Sequence, residues 1–98
     1  GDLVTAGAGV RVPVLVSFTK PEYPPIARRM RVEGTVVLSL LVDENGRVAD
    51  VRLERGVSQN VGINEAAISA AKSAKYQPAT KDGVKVKMWH TLTIPFKL

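Results

Sequence analysis

The sequence predicts an α+β domain: an antiparallel β-β-α-β sheet with a short N-terminal helix and one longer helix packed on one face. Three observations carry that reading. Residues 34–43, Gly-Thr-Val-Val-Leu-Ser-Leu-Leu-Val-Asp, alternate with period two: Val36, Leu38, Leu40 and Val42 share a wholly apolar face, and Thr35, Val37, Ser39 and Leu41 a mixed one. Residues 63–75 place Ile63, Ala66, Ala67, Ala70, Ala71 and Ala74 in one stripe at helical spacing. Residues 84–97 alternate again, with Val86, Met88, His90, Leu92, Ile94 and Phe96 on one parity.

Residues 1–9 are small, and are read as the flexible end of a linker, with the folded domain spanning 10–98. Val10, Val12, Val14, Val16 and Phe18 then share one parity, so 10–18 is strand-like. Pro13 has no amide to give a ladder, which confines any such strand to an edge. Two adjacent prolines, Pro24 and Pro25, suit the start of a helix, because first-turn amides lack partners. That helix is expected to run to about Arg31 with Ile26, Ala27 and Met30 facing inward.

The strand at 34–43 has apolar residues on both faces, the mark of a central strand. Asp43-Glu44-Asn45-Gly46 is a strong turn signal, and the chain returns through 47–55 with Ala49, Val51 and Leu53 on the inward parity. After a loop at 56–62 comes the alanine-striped helix, with Asn60 or Asn64 as its N-cap. Tyr76-Gln77-Pro78 ends it. A turn at Lys81-Asp82-Gly83 leads into the long last strand. A right-handed crossover puts that strand beside 34–43, giving the order 2-1-3 with room for an extra N-terminal strand. One ladder edge of the last strand then stays unpaired. Residues 10–18 either lie along that edge, within one chain or exchanged with a second, or pack elsewhere, for example over Val37 and Leu41.

The composition excludes several classes. With 98 residues, the chain makes one domain. It has no cysteine, so disulfides and thiolate metal sites are out. Its apolar runs are too short to span a bilayer. Gly1-Asp2-Leu3 lacks a signal-peptide pattern, and the chain is expected to be a domain of something longer. A net charge of +5 invites a nucleic-acid reading, but aromatic residues make up only 5%, too few for a stacking platform. His90, the sole histidine, falls on an apolar strand face and is read as structural. The carboxylates Asp43, Glu44 and Asp50 belong to turn chemistry. No phosphate loop, metal-ligand spacing or nucleophile elbow is present. The expectation is a non-enzymatic binding module with no cofactor and no metal.

Taken in order, the motifs form a signature: Pro21-Glu22-Tyr23-Pro24-Pro25-Ile26-Ala27, Glu33-Gly34-Thr35-Val36, Asp43-Glu44-Asn45-Gly46-Arg47-Val48, Asn64-Glu65-Ala66-Ala67, Tyr76-Gln77-Pro78, Gly83, Trp89 and Ile94-Pro95-Phe96. From about Val12 to Leu98 this resembles the C-terminal domain of the TonB family of energy transducers. The resemblance implies a periplasmic domain, tethered to the inner membrane in the full-length protein and working with a proton-motive-force-driven motor complex there. It also implies a partner: an extended segment of an outer-membrane protein, the TonB box or its equivalent, gripped by β-strand addition. The positions carried across are Lys20, Pro21, Glu22, Tyr23 and Pro24, with Trp89, Thr91, Thr93 and Pro95 on the last strand. Well-known enteric members have glutamine where Lys20 stands. Tyr23 has two readings, as a brace for the partner or as core filler. So has Trp89, as an exposed contact or as a ring covered by 10–18 or by the Tyr23 region. The runner-up function is a structural or peptidoglycan-contacting domain of another trans-envelope machine, such as gliding-motility apparatus.

Overall fold

A computed structural model describes residues 7–98. The element order is β1 (Val10–Arg11), β2 (Val14–Ser17), α1 (Pro25–Arg29), β3 (Gly34–Val42), β4 (Val48–Arg55), α2 (Ile63–Lys72), β5 (Lys75–Gln77), β6 (Ala79–Lys81), β7 (Val84–Val86) and β8 (Met88–Phe96). The main sheet is antiparallel in the order β4-β3-β8, with β3 in the centre. Val36, Leu38, Leu40 and Val42 are fully buried, and Ile63, Ala67, Ala70, Ala71 and Ala74 of α2 and the turn after it close over them with Ile94 and Phe96. The small side chains of α2 let its backbone approach the sheet closely, and β3 is buried on its helix-facing side without a gap in the alternation.

The hairpin turn is built by Asp43. Its Oδ1 accepts from the amides of Asn45 and Arg47, both at 2.9 Å. Gly46 has φ +79°, and a Cβ there would stand 1.9 Å from the Tyr76 carbonyl oxygen, so only glycine fits. Its carbonyl accepts from the Tyr76 amide at 2.9 Å, which docks β5 on the turn.

The return strand departs from simple alternation. Leu41 pairs with Asp50 but Val42 pairs with Val48, so Ala49 is the extra residue of a bulge. Val48 and Val51 therefore pack on the core while Ala49 is exposed, and Leu53 remains 44% exposed. A second shift falls between Val37 and Leu38.

Other expectations also need correction. The first helix is only Pro25–Arg29, barely more than a turn; Ala27 is buried, while Ile26 and Met30 are each half exposed. Arg31 takes a left-handed φ of 55° and turns the chain away. The longer helix ends at Lys72. Residues 75–86 form short strands, and the last strand breaks into β7 and β8 around Lys87 because β7 folds back on β6 across Asp82 and Gly83.

Within residues 10–18 no strand pairs with the last strand, although Phe18 lies against its C-terminal end. β2 pairs with β5, and β1 pairs with β6 to make a small sheet β1-β6-β7 with its own cluster of Ala79, Val86 and Met88. Of the expected linker end, residues 1–6 lie outside the described residues, and Gly7 to Val10 form a turn closed by the Val10 amide on the Gly7 carbonyl.

At the start of α2 the cap is shared. Gly62 occupies the N-cap position, and the Asn60 Oδ1 accepts from the Asn64 amide at 2.7 Å. The Asn64 side chain turns instead to the loop, accepting from the Val57 amide and donating to the Val57 carbonyl.

A free strand edge and the groove at its end

β8 is an edge strand: β3 pairs one side of it, and no strand among the described residues pairs the other. Its register with β3 runs without a shift from Gly34 opposite Phe96 to Val42 opposite Met88. Pro95 fixes which residues point outward. A proline has no N–H to give the ladder, so in an edge strand its nitrogen faces away from the neighbour. Antiparallel residues direct N–H and C=O to the same side, alternating along the strand. With no bulge to break the alternation, Trp89, Thr91 and Thr93 therefore turn their amides and carbonyls outward, while His90, Leu92 and Ile94 bond to β3. Thr91, Thr93 and Pro95 are exposed.

The opposite edge is different. β4 carries two register shifts and the charged side chains Asp50, Arg52, Glu54 and Arg55. Bulges and charges are the ordinary means of blunting an edge. β8, regular and lined with threonine, has neither protection.

Beside the C-terminal end of β8 runs the segment 18–24, pinned at both ends. The Thr19 amide donates to Ser73 Oγ at 3.1 Å, and that hydroxyl donates to the Ala70 carbonyl at 2.6 Å. The Tyr23 hydroxyl donates to the Val32 carbonyl. The Tyr23 ring meets Phe96 edge to face at 5.7 Å, and the Arg28 guanidinium lies 5.5 Å from its centroid. Between the segment and β8 opens a groove of about 580 Å³ lined by Phe18, Lys20, Pro21, Tyr23, Arg28, Thr93, Ile94, Pro95, Phe96 and Lys97.

Five of the residues singled out from sequence thus meet in one groove: Lys20, Pro21, Tyr23, Thr93 and Pro95. Glu22 lines a separate hollow against α2, with Ala66, Ser69 and Ser73. Pro24 packs near Gly62. Trp89 and Thr91 lie further along the strand. Trp89 is half-buried; the Arg52 guanidinium from β4 stacks 4.5 Å over its ring, held by Asp50 at 3.8 Å. Tyr23 is hydrogen-bonded and ring-packed, as the core-filler reading expects, and it also walls the groove. Phe18, Arg28 and Lys97 were not anticipated as site residues, whereas Ile94 and Phe96 belong to the strand-end motif quoted from the sequence. No local signal marks Phe18, Arg28 or Lys97, because the groove joins stretches some 70 positions apart.

Two further titratable groups pack together beneath the sheet's edge elements. His90 meets the Tyr76 ring edge to face at 5.3 Å, and burial lowers its pKa. Burial raises that of Tyr76, whose hydroxyl is buried with no hydrogen-bond partner. Among the described residues no cluster of three His, Cys, Asp or Glu could hold a metal ion, and no helix is long and apolar enough to cross a membrane.

A pinned segment lies beside a bare, regular strand edge, a geometry by which a sheet can accept an extended chain. Comparison with known proteins gives the family. Residues 19–98 match the Gram-negative bacterial TonB protein C-terminal family, and the chain belongs to it. It is 42% identical over 69 residues to Protein TonB of Xanthomonas campestris pv. campestris, covering 70% of this chain and 30% of that protein. It is 36% identical over 87 residues to Protein TonB of Vibrio cholerae serotype O1, covering 88% and 35% respectively. The chain thus spans about a third of the length of these curated relatives. In fold it is similar to the solution NMR structure of the Pseudomonas aeruginosa TonB C-terminal domain, with a TM-score of 0.65, 19% identity, and coverage of 94% of this chain and 89% of that one. The α+β fold read from the sequence is that of this domain.

Proposed function

We propose that this chain is the partner-binding domain of a TonB-like energy transducer, non-enzymatic and periplasmic, tethered to the inner membrane in the full-length protein. In this reading an extended segment of an outer-membrane protein adds to β8 as a fourth strand of the main sheet. Work derived from the proton-motive force, delivered by an inner-membrane motor complex, is transmitted through that joint. The observation that carries the proposal is the contrast between the two sheet edges: β4 is bulged and charged, β8 regular and open.

Strand addition suits the task physically. Main-chain hydrogen bonds tolerate varied partner sequences. Each is worth about 0.5–1.5 kcal/mol net, so the rungs offered by Trp89, Thr91 and Thr93 give a reversible grip. Bonds loaded together along two strands also resist pulling better than bonds loaded singly. A contact driven only by basic surface charge, as a peptidoglycan-contacting domain would make, weakens steeply with salt, whereas a ladder does not.

Photocrosslinking in cells tests the proposal. A photoreactive residue at Thr91 of the full-length protein is expected to capture outer-membrane proteins, and the same residue at Glu54 on the opposite edge is not. Equal capture from both positions, or capture from Glu54 alone, would reject strand addition at β8.

A further inference from the structure

The face of the main sheet turned away from α2 carries an arrangement that strand addition by itself does not use. Asp50, Leu41 and Trp89 stand opposite one another across β4, β3 and β8, and Arg52, Ser39 and Thr91 form the next row. From that second row Arg52 reaches diagonally over β3, and its guanidinium lies 4.5 Å from the centroid of the Trp89 ring. Asp50 aims it. One carboxylate oxygen, Oδ1, accepts from the Val51 amide at 2.9 Å, and the other, Oδ2, lies 3.8 Å from Arg52 Nε.

That contact fixes the lean of the indole. Neighbouring strands are about 4.8 Å apart, so β4 and β8, with β3 between them, are separated by roughly 10 Å. An indole lying outward over the free edge of β8 would be out of reach of Arg52. The ring therefore leans inward across β3 toward Leu41, and both residues are half-buried. The outward N–H and C=O of Trp89 stay clear of its own side chain. Without the cation the ring has another place to go, because the staggered wells open to a strand residue include one that turns it over the edge. There a large aromatic would bury apolar surface against the edge backbone, where an added strand must lie.

We infer that Arg52 is a positioning residue for strand addition: it holds the Trp89 indole across the sheet face and so keeps the N-terminal half of the β8 edge open. This rests on the strand-addition reading and adds how the edge is kept ready. The strength of the stack sets the effect. An exposed cation–π contact shifts such an equilibrium about two- to fivefold, and apparent affinity falls in proportion as the competent state is depopulated.

The test follows a capped nine-residue peptide of Ser, Thr and Val binding to the 98-residue chain, read through the amide resonances of Thr91 and Thr93. Arg52→Ala is expected to weaken binding about two- to fivefold while the thermal midpoint moves by only a few degrees. Arg52→Lys, which keeps a cation, is expected to recover most of the affinity. On a Trp89→Thr background there is no indole to swing, and Arg52→Ala is expected to have no effect on binding. Nuclear Overhauser contacts between the Trp89 indole and the Leu41 methyls should weaken in Arg52→Ala. Unchanged or tighter binding by Arg52→Ala overturns the positioning role and leaves strand addition standing. So does an equal loss with and without the indole, which would give Arg52 a contact of its own with the peptide. Indole contacts to Leu41 that persist in Arg52→Ala overturn it as well. Failure of the peptide to shift Thr91 and Thr93 of the wild-type chain overturns strand addition and the positioning role together.

Discussion

Proline placed at successive positions of β8 separates its two sets of amides. The alternation set by Pro95 assigns the Leu92 N–H to the Leu38 carbonyl, its register partner, and turns the Thr93 N–H toward solvent. Thr93→Pro therefore removes no ladder bond, and the tolerated Pro95 two residues on shows that the edge accommodates the ring. Its cost is expected to stay below about 1 kcal/mol, from the ordinary range for surface substitutions and some loss of strand geometry. Leu92→Pro strands a buried carbonyl in the centre of the sheet, a cost of about 1–3 kcal/mol before the lost packing of Leu92 is counted. For a domain of this size each kcal/mol moves the thermal midpoint by about 4–8 °C. Leu92→Pro should thus lower the midpoint by 10 °C or more by about these figures, and Thr93→Pro by only a few. Calorimetry or far-UV circular dichroism reads both. Thr93→Pro should at the same time weaken binding of an extended partner peptide, since it deletes an outward donor from a folded domain. Equal destabilisation by the two prolines would refute the assignment of outward and inward amides.

The remaining predictions concern the support of the sheet. Gly46→Ala forces a Cβ against the Tyr76 carbonyl at a positive φ, and is expected to cost about 2 kcal/mol or more, read as a lowered urea midpoint. Tyr76→Phe removes a buried hydroxyl that has no partner, so it should leave stability unchanged or raise it, whereas a large loss would show that the hydroxyl is satisfied. His90 has a pKa lowered by burial from its ordinary 6.5. The unfolded chain therefore takes up the proton first, and stability that is complete above about pH 6.5 falls as pH drops through that value toward the folded one. His90→Leu should flatten this acid limb in urea titrations at several pH values; an unchanged limb would assign it to the carboxylates.

Much of the sheet could be read from sequence because its signals are local. Val36, Leu38, Leu40 and Val42 alternate without interruption, and Asp43 to Gly46 spells a turn whose side-chain bonds involve only near neighbours. The alanine stripe marks the buried face of α2 for the same reason. Where a feature depended on partners distant in the chain, the sequence misled. Ala49 has the parity of a core residue, yet a bulge, which leaves no mark in the residue pattern, turns it out. Pro78 read as the end of a helix, although it separates two three-residue strands, one paired with 14–17 and the other with 10–11 and 84–86; the turn read at Lys81-Asp82-Gly83 is present. The groove is the extreme case. Lys20, Pro21 and Tyr23 were found through the motif they belong to, and Thr93 and Pro95 through the open edge. Nothing in the sequence marks Arg28 and Lys97, because only folding brings them to one rim. Arg52 over Trp89 was missed likewise, since the two residues sit on opposite sides of the central strand.

Amide hydrogen exchange along β8, with and without a saturating extended partner peptide, tests the central claim most directly. In the free domain His90, Leu92 and Ile94 should exchange slowly and Trp89, Thr91 and Thr93 fast. On binding, the fast set should slow markedly while the amides of Arg52 and Glu54 on the other edge stay as they were. Contradiction would take either of two forms: Thr91 and Thr93 already protected in the free domain, or a saturating peptide that leaves their exchange unchanged.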